Sequence, residues 1–372
     1  MSNGTNLAAL VAWSGFGLAF IFGFVASKTN FCTMGAVSDI VNMGNWGRMR
    51  AWLLAIAIAI IGANTLLLLG LVDLSKSIYQ RPNMAWLSIL VGGLCFGVGM
   101  TLASGCASKT LMRIGGGSLR SLVVFVFLGI SSYMTLKGLF GQWRTDFLDP
   151  VVFNFSTLGA SGQDLPSLLI KAMGIDKKTA ILASVAVVSG ALLIFVFKDA
   201  RFRKNLNNIL AGVVIGLLVT AAWYVTGHIG YAENPDTLET VFFGTNTRAA
   251  ESFSFVAPIA YSLELLMLWT DKSLIVTFGI ASAVGVMLGS LVYALVSKSF
   301  RWEGFASVRD TRNHVIGGIL MGFGGVLSLG CTVGQGVSGL STIALGSFLA
   351  FLSIVTGAAA TMKYMYWREM QE

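Results

Sequence analysis

Four cysteines, at positions 32, 95, 106 and 331, are the residues of this 372-residue chain best suited to chemistry. A thiol can ligate a metal, exchange sulfur covalently, or donate a weak hydrogen bond through S–H. The spacing disfavours metal ligation. No two cysteines form a CxxC pair, and His228 and His314 stand beside no cysteine. No metal or cofactor is therefore expected, and both histidines read as interfacial residues at the ends of apolar spans. Three cysteines lie where small and polar residues interrupt apolar sequence: TNFCTMGA at 29–36, ASGCASK at 103–109 and LGCTVGQG at 329–336. A thiol in apolar surroundings stays protonated. Its S–H suits a soft, polarizable, sulfur-bearing solute better than a hard ion.

Two of these runs are one segment written twice. GGLCFGVGMTLASGC at 92–106 aligns without a gap on GGILMGFGGVLSLGC at 317–331. Gly92, Gly93, Gly97, Gly99, Gly105 and Cys106 fall on Gly317, Gly318, Gly322, Gly324, Gly330 and Cys331. A thiol kept at the same point in both copies argues for a site on a symmetry axis. Cys95 falls opposite Leu320, inside a regular apolar run, and reads as packing. Cys32 has no partner thiol in the second half.

The elements that must hold these thiols are membrane helices. Of the residues, 55% are hydrophobic and 11% charged, against roughly 25% charged in soluble domains. We read nine spans, at 7–26, 51–72, 84–104, 119–140, 178–197, 208–228, 273–297, 314–330 and 342–362. Each approaches the ~20 residues needed to cross a bilayer core, although 314–330 is short and rich in glycine. The implied fold class is an all-α integral membrane protein. One set of loops (27–50, 105–118 with Arg120, 198–207, 298–313 and the C-terminal tail) carries 16 Lys/Arg and 6 Asp/Glu; the other carries 9 and 11. Positive loops stay in the cytoplasm, which places the N-terminus outside and the C-terminus inside. The net charge of +8 then finds its partner in anionic membrane lipid and needs no nucleic acid. The span at 7–26 reads as retained, because no Lys or Arg precedes Lys28.

With nine spans the two copies of the repeat run in opposite directions. The expected organisation is a first repeat over 1–141, an outer loop and linking helix over 142–207, and a second, inverted repeat over 208–372. Inverted repeats build transport folds with the substrate near the midplane. GFVASKTNFCTMG at 23–35 and GLLVTAAWYVTGH at 216–228 are weaker counterparts. The short run FVAPIAYSLELLMLW at 255–269 reads as an interfacial or re-entrant helix on the outer side, and 141–177 as a polar outer loop. Helices starting beside the cysteines would aim free N–H groups at one point, where an anion is favoured.

FCTMGAVSD, GCASKTLMRIGGGS and GCTVGQGVSGLS together resemble the three cysteine motifs of the YeeE/YedE sulphur-transport family, and the resemblance covers nearly the whole chain. It implies an hourglass of inverted repeats with short re-entrant half-helices, no enzymatic activity, and uptake of thiosulfate across the bacterial inner membrane. It further implies that Cys32, Cys106 and Cys331 contact thiosulfate in succession. Lys109 and Gln335, each three or four residues past a motif cysteine, and Gly105 and Gly330, just before two of them, complete the candidate substrate-binding set. The competing readings are a snorkelling lysine for Lys109 and helix–helix glue for Gln335; Asp39 and Arg113 read as cytoplasmic rim. The family often sits with small cytosolic sulfur-carrier proteins, and related members are linked to selenium species. The alternative class is a membrane thiol oxidoreductase or sulfurtransferase carrying a cysteine persulfide. The wide sequence spacing of the cysteines argues against a dithiol cycle.

Overall fold

Apolar runs punctuated by glycine become long helices that pack backbone to backbone. The computed structural model describes residues 2–234 and 238–371; Asp236 and Glu372, which enter the loop-charge tally, lie outside them. Thirteen helices carry the architecture. They are α1 Ser2–Lys28, α2 Thr33–Met43, α3 Gly47–Leu68, α4 Trp86–Leu102, α5 Ala107–Gly115, α6 Leu119–Lys137 and α7 Lys177–Phe197. They continue as α8 Leu206–Tyr224, α9 Val256–Met267, α10 Phe278–Val296, α11 Val308–Leu327, α12 over 332–341 and α13 Leu345–Glu369.

Among the described residues, eight helical segments are long and apolar enough to cross a membrane. They match eight of the nine expected spans. The ninth, 314–330, is helical as α11, but that helix starts six residues earlier, in the polar run Val308-Arg309-Asp310, and ends at Leu327. The start of the span expected at 273–297 also moves, to Phe278. Large apolar side chains such as Leu10, Ile21, Ile130, Val187, Ile194 and Leu352 are exposed on helix surfaces. In water they would form an oversized apolar patch; against lipid they are at home. The protein is a multi-pass, all-α membrane protein.

The repeated glycines explain the centre of the bundle. A methyl group at Gly92 would lie 2.7 Å from the carbonyl oxygen of Gly324, and one at Gly324 2.4 Å from that of Gly92. Gly99 and Gly317 meet in the same mutual way, at 2.7 and 2.6 Å. The two copies therefore cross antiparallel, α4 on α11. The remaining glycines seat the flanking helices. Gly93 and Gly97 press on the Ala350 and Ile354 carbonyls of α13, and Gly318 and Gly322 on the Val124 and Leu128 carbonyls of α6.

The packing is reciprocal throughout. α1 packs on α10 as α8 packs on α3; α6 packs on α11 as α13 packs on α4. α9 lies on α6 and α10 as α2 lies on α13 and α3. α7 stands outside this scheme, packed mainly on α3.

The segment expected as a plain polar loop at 141–177 is folded. Its strand Phe153–Asn154 pairs with Asn83–Met84, and its short helix Leu165–Met173 is capped by Asp164. Gln163 accepts the Leu345 N–H on its carbonyl at 3.0 Å and the Gly346 N–H on its side-chain oxygen at 3.0 Å. The segment thus closes over the start of α13.

Candidate functional site

Each motif cysteine is the hinge of a broken helix. α1, α4 and α11 each end four residues before it, and α2, α5 and α12 begin directly after it. The turn is made the same way three times. Two residues before each cysteine the backbone enters the left-handed region, at Asn30 (φ 52°), Ser104 (φ 55°) and Leu329 (φ 57°). Asn visits that region readily, whereas Ser and Leu are held there by their surroundings. Cys32 and Cys106 then adopt extended backbone as N-caps. All three motif cysteines are buried.

The sulfurs meet free helix N–H groups. The Gly334 N–H donates to Cys331 Sγ at 3.3 Å, and the N–H groups of Val333 and Phe255 face the same sulfur. Phe255 caps α9, so the run expected at 255–269 supplies a fourth helix start directed at the centre. Cys32 has the Gly35 N–H directed at it, and Cys106 that of Lys109, at longer range and without a full capping bond. Four helix N-termini therefore surround the thiols, each with uncompensated donors and the positive end of a dipole.

The three thiols are neighbours in space although 225 residues separate Cys106 from Cys331 in the chain. Cys32 and Cys106 lie close enough for each thiol to feel the other. Cys106 also has the Ser108 hydroxyl at 3.2 Å and Thr332 beside it, and its field reaches Cys331. Cys95 is remote from this group, half-buried and without a polar partner among the described residues.

Two cavities approach the thiols from opposite ends of the same helices. One, of about 800 Å³, is lined by Asn30, Cys32, Ser104 and Lys109 near the thiols, and by Arg48, Arg113, Lys298 and Arg301 farther out. It reaches Ser118 at the start of α6 and Ala294 at the end of α10. The other, of about 180 Å³, reaches Leu136 at the far end of α6 and Phe278 at the start of α10. It touches Leu329 and Gly330, the two residues before Cys331, and carries Tyr79, Arg144, Glu251 and Tyr261. Between them Cys106 and Cys331 are almost wholly buried, which gives the site the shape of a closed neck between two vestibules.

The sequence-derived set divides here. Lys109 lines the larger cavity, with Nζ 3.5 Å from Asn30 Oδ1. Gln335 is buried, and its amide nitrogen donates to the Ser328 carbonyl inside its own turn; its amide oxygen has no hydrogen-bond partner among the described residues. Gly105 and Gly330 make room for these two side chains. A methyl at Gly105 would lie 3.2 Å from Lys109 Cγ, and one at Gly330 3.4 Å from Gln335 Cγ. Asp39 is buried and forms a two-pronged ion pair with Arg48. The hydroxyls of Thr33 and Thr332 were not among the expected site residues. Both are buried without a hydrogen bond of normal geometry among the described residues; the Cys-Thr pair, present at 32–33 and again at 331–332, was their signal. No group of three or more His, Cys, Asp or Glu able to hold a metal occurs among the described residues.

A polar, buried neck lined by S–H, O–H and helix N–H donors can hold an anion with a soft atom. Comparison with known proteins agrees in kind. The profile of the family described as "Sulphur transport" matches residues 28–360. The chain is 24% identical over 372 residues to a thiosulfate transporter TsuA of Escherichia coli (strain K12), covering 95% of this chain and 94% of the relative. It is also 24% identical over 363 residues to a thiosulfate transporter TsuA of Spirochaeta thermophila, covering 93% and 96%. The family and both relatives are named for transport, not for catalysis of a reaction.

Proposed function

The chain belongs to the sulphur transport family, and from that premise we propose that it takes thiosulfate up across the bacterial inner membrane, through the neck formed by Cys32, Cys106 and Cys331. The observation that carries this reading is the convergence of three buried thiols and four helix N-termini between two cavities. Thiosulfate has two different ends. Its oxygens suit helix N–H donors and hydroxyls, and its terminal sulfur suits S–H groups. The thiols pass that sulfur from one to the next. No single site binds tightly, because conduction needs easy release as well as capture.

The reciprocal packing of α1–α6 with α8–α13 supports two inverted repeats, 1–141 and 208–372, with 142–207 linking them. The loop charges support an N-terminus outside and a C-terminus in the cytoplasm. On that orientation the smaller cavity faces outward and the larger, basic one inward. Lys109 and Arg113 then draw the anion off the neck, and the basic inner rim offers a surface to a small cytosolic sulfur carrier and to anionic lipid. Gly105, Gly330 and Gln335 keep the turns in shape around the path. The path is facilitated rather than pumped.

One observation favours a second reading. Cys32 and Cys106, far apart in sequence, are side by side, so a resolving thiol is at hand. In a sulfurtransferase reaction a cysteine thiolate would take the outer sulfur of thiosulfate as a persulfide and release sulfite. Intact mass after exposure to thiosulfate separates the two: transport predicts no stable gain of one sulfur. A selenium or other sulfur species as substrate is tested by competition of thiosulfate uptake with selenite, sulfite and sulfate. The function itself is tested by growth on thiosulfate as sole sulfur source in a strain that depends on this protein. Cys106→Ala and Cys331→Ala should each abolish growth; normal growth of both would contradict a direct role for the thiols.

A further inference from the structure

Glu251 is the anomaly of the smaller cavity. A carboxylate there would repel a dianion, yet the side chain lines the space that leads to Gly330 and Cys331. Its position is fixed by the backbone. The Thr226 hydroxyl donates to the Glu251 carbonyl and accepts the Glu251 N–H at 3.2 Å. One residue on, the Ser252 hydroxyl donates to the Val219 carbonyl at 2.9 Å. The segment is thus tied to α8 and its continuation, four residues before the Phe255 N–H that faces Cys331.

No lysine or arginine compensates this carboxyl among the described residues. Its partners are the Thr247 hydroxyl, which donates to Oε2 at 3.1 Å, and the Asn246 N–H. Arg144 lines the same cavity but is paired with Asp149 at 3.1 Å. The other titratable groups facing it are phenols: Tyr79 from the segment after α3, which also feels Cys331, and Tyr261 from α9. Beyond Tyr261 stand Glu264 and Lys137, which neutralise each other as an ion pair at 2.7 Å. A half-buried carboxyl without a cation, set in an enclosed cavity, relieves its desolvation by taking a proton.

Resting on the transport reading above, we propose that Glu251 is the proton-binding residue of the smaller cavity, so that the cavity admits a dianion only together with a proton on this carboxyl. The proton removes the like charge that would otherwise face the anion, and the neutral acid becomes an O–H donor to it. Burial pushes the Glu251 carboxyl up to about 7. A group titrating there goes from mostly protonated at pH 6 to mostly ionised at pH 8, a change of about tenfold in the protonated fraction.

The test is uptake of radiolabelled thiosulfate into proteoliposomes, with the same pH on both sides, at pH 6, 7 and 8. Uptake by the unaltered protein should fall about tenfold between pH 6 and pH 8, following the protonated fraction. Glu251→Gln, which mimics the neutral acid, should hold uptake near the pH 6 level throughout. Tyr79→Phe and Tyr261→Phe should keep the pH dependence. A flat profile in the unaltered protein, an unchanged profile in Glu251→Gln, or a folded Glu251→Gln protein without uptake would each overturn the inference. Should Glu251→Gln fail to fold, the profile of the unaltered protein decides alone. Absence of uptake by the unaltered protein at every pH would instead contradict the transport reading.

Discussion

At the scale of single residues, the three thiols proposed to line the path should differ in their effect from Cys95, which lies away from it. Cys331→Ala and Cys106→Ala should lower thiosulfate uptake by more than tenfold, while Cys95→Ala should stay within about twofold, since it only trims a half-buried packing side chain. Cys→Ser at 106 or 331 should retain part of the uptake, because a hydroxyl still donates but is a poorer match for a soft sulfur; full loss in Ser together with a persulfide on the native cysteine would favour covalent transfer. Thr332 makes a sharper case. Its buried hydroxyl faces the Cys106 thiol but makes no hydrogen bond of normal geometry among the described residues, and such a group costs ~1–3 kcal/mol. Thr332→Val should therefore raise thermal stability in detergent while weakening uptake, whereas a purely structural threonine would lose stability with it. The cysteines were legible because a repeat marked two of them and three motifs marked all. Thr33 and Thr332 were marked only by the repeated Cys-Thr pair, and a hydroxyl beside a thiol gains meaning only once its burial is seen.

At the scale of elements, the glycine repeat was legible and the turns were not. Glycines at 92, 99, 317 and 324 announce close helix packing, and at each a Cβ would lie under 3 Å from a backbone atom of the facing helix. Gly324→Leu should consequently fail to give monodisperse protein, since its side chain would start 2.4 Å from the Gly92 carbonyl oxygen; ordinary yield and melting would contradict the α4–α11 crossing. The left-handed turns at Ser104 and Leu329 carry residue types that do not favour them, so sequence offered no signal. Leu329→Gly should relieve that conformation and raise stability by roughly 0.5–1 kcal/mol, the left-handed cost less the entropy glycine loses on folding, read as a higher melting temperature. The helix at 256–267 was expected at the interface or re-entrant; what sequence did not show is that its first N–H groups face Cys331. That follows from Pro258 and the pinned segment 251–255, which start the helix at depth.

At the scale of the whole molecule, the apolar runs carried most of the architecture, eight of the nine recurring as long apolar helices among the described residues, because hydrophobic length is a property of local sequence. The two cavities were not legible, since each gathers residues from distant segments: Asn30, Lys109 and Arg301 in one, Tyr79, Glu251 and Gly330 in the other. The proposed orientation predicts that a cysteine placed at Lys198, in a background lacking Cys95, reacts with an impermeant thiol reagent only from the cytoplasmic side, and one at Lys171 only from outside; the opposite pattern would invert the direction of the path. The central claim, that thiosulfate crosses through a neck of thiols, is tested most directly by radiolabelled thiosulfate uptake into proteoliposomes containing the purified unaltered protein or its Cys331→Ala variant. The account predicts uptake by the first that unlabelled thiosulfate competes away, and none above empty liposomes by an equally well folded second. Equal uptake by the two would contradict it.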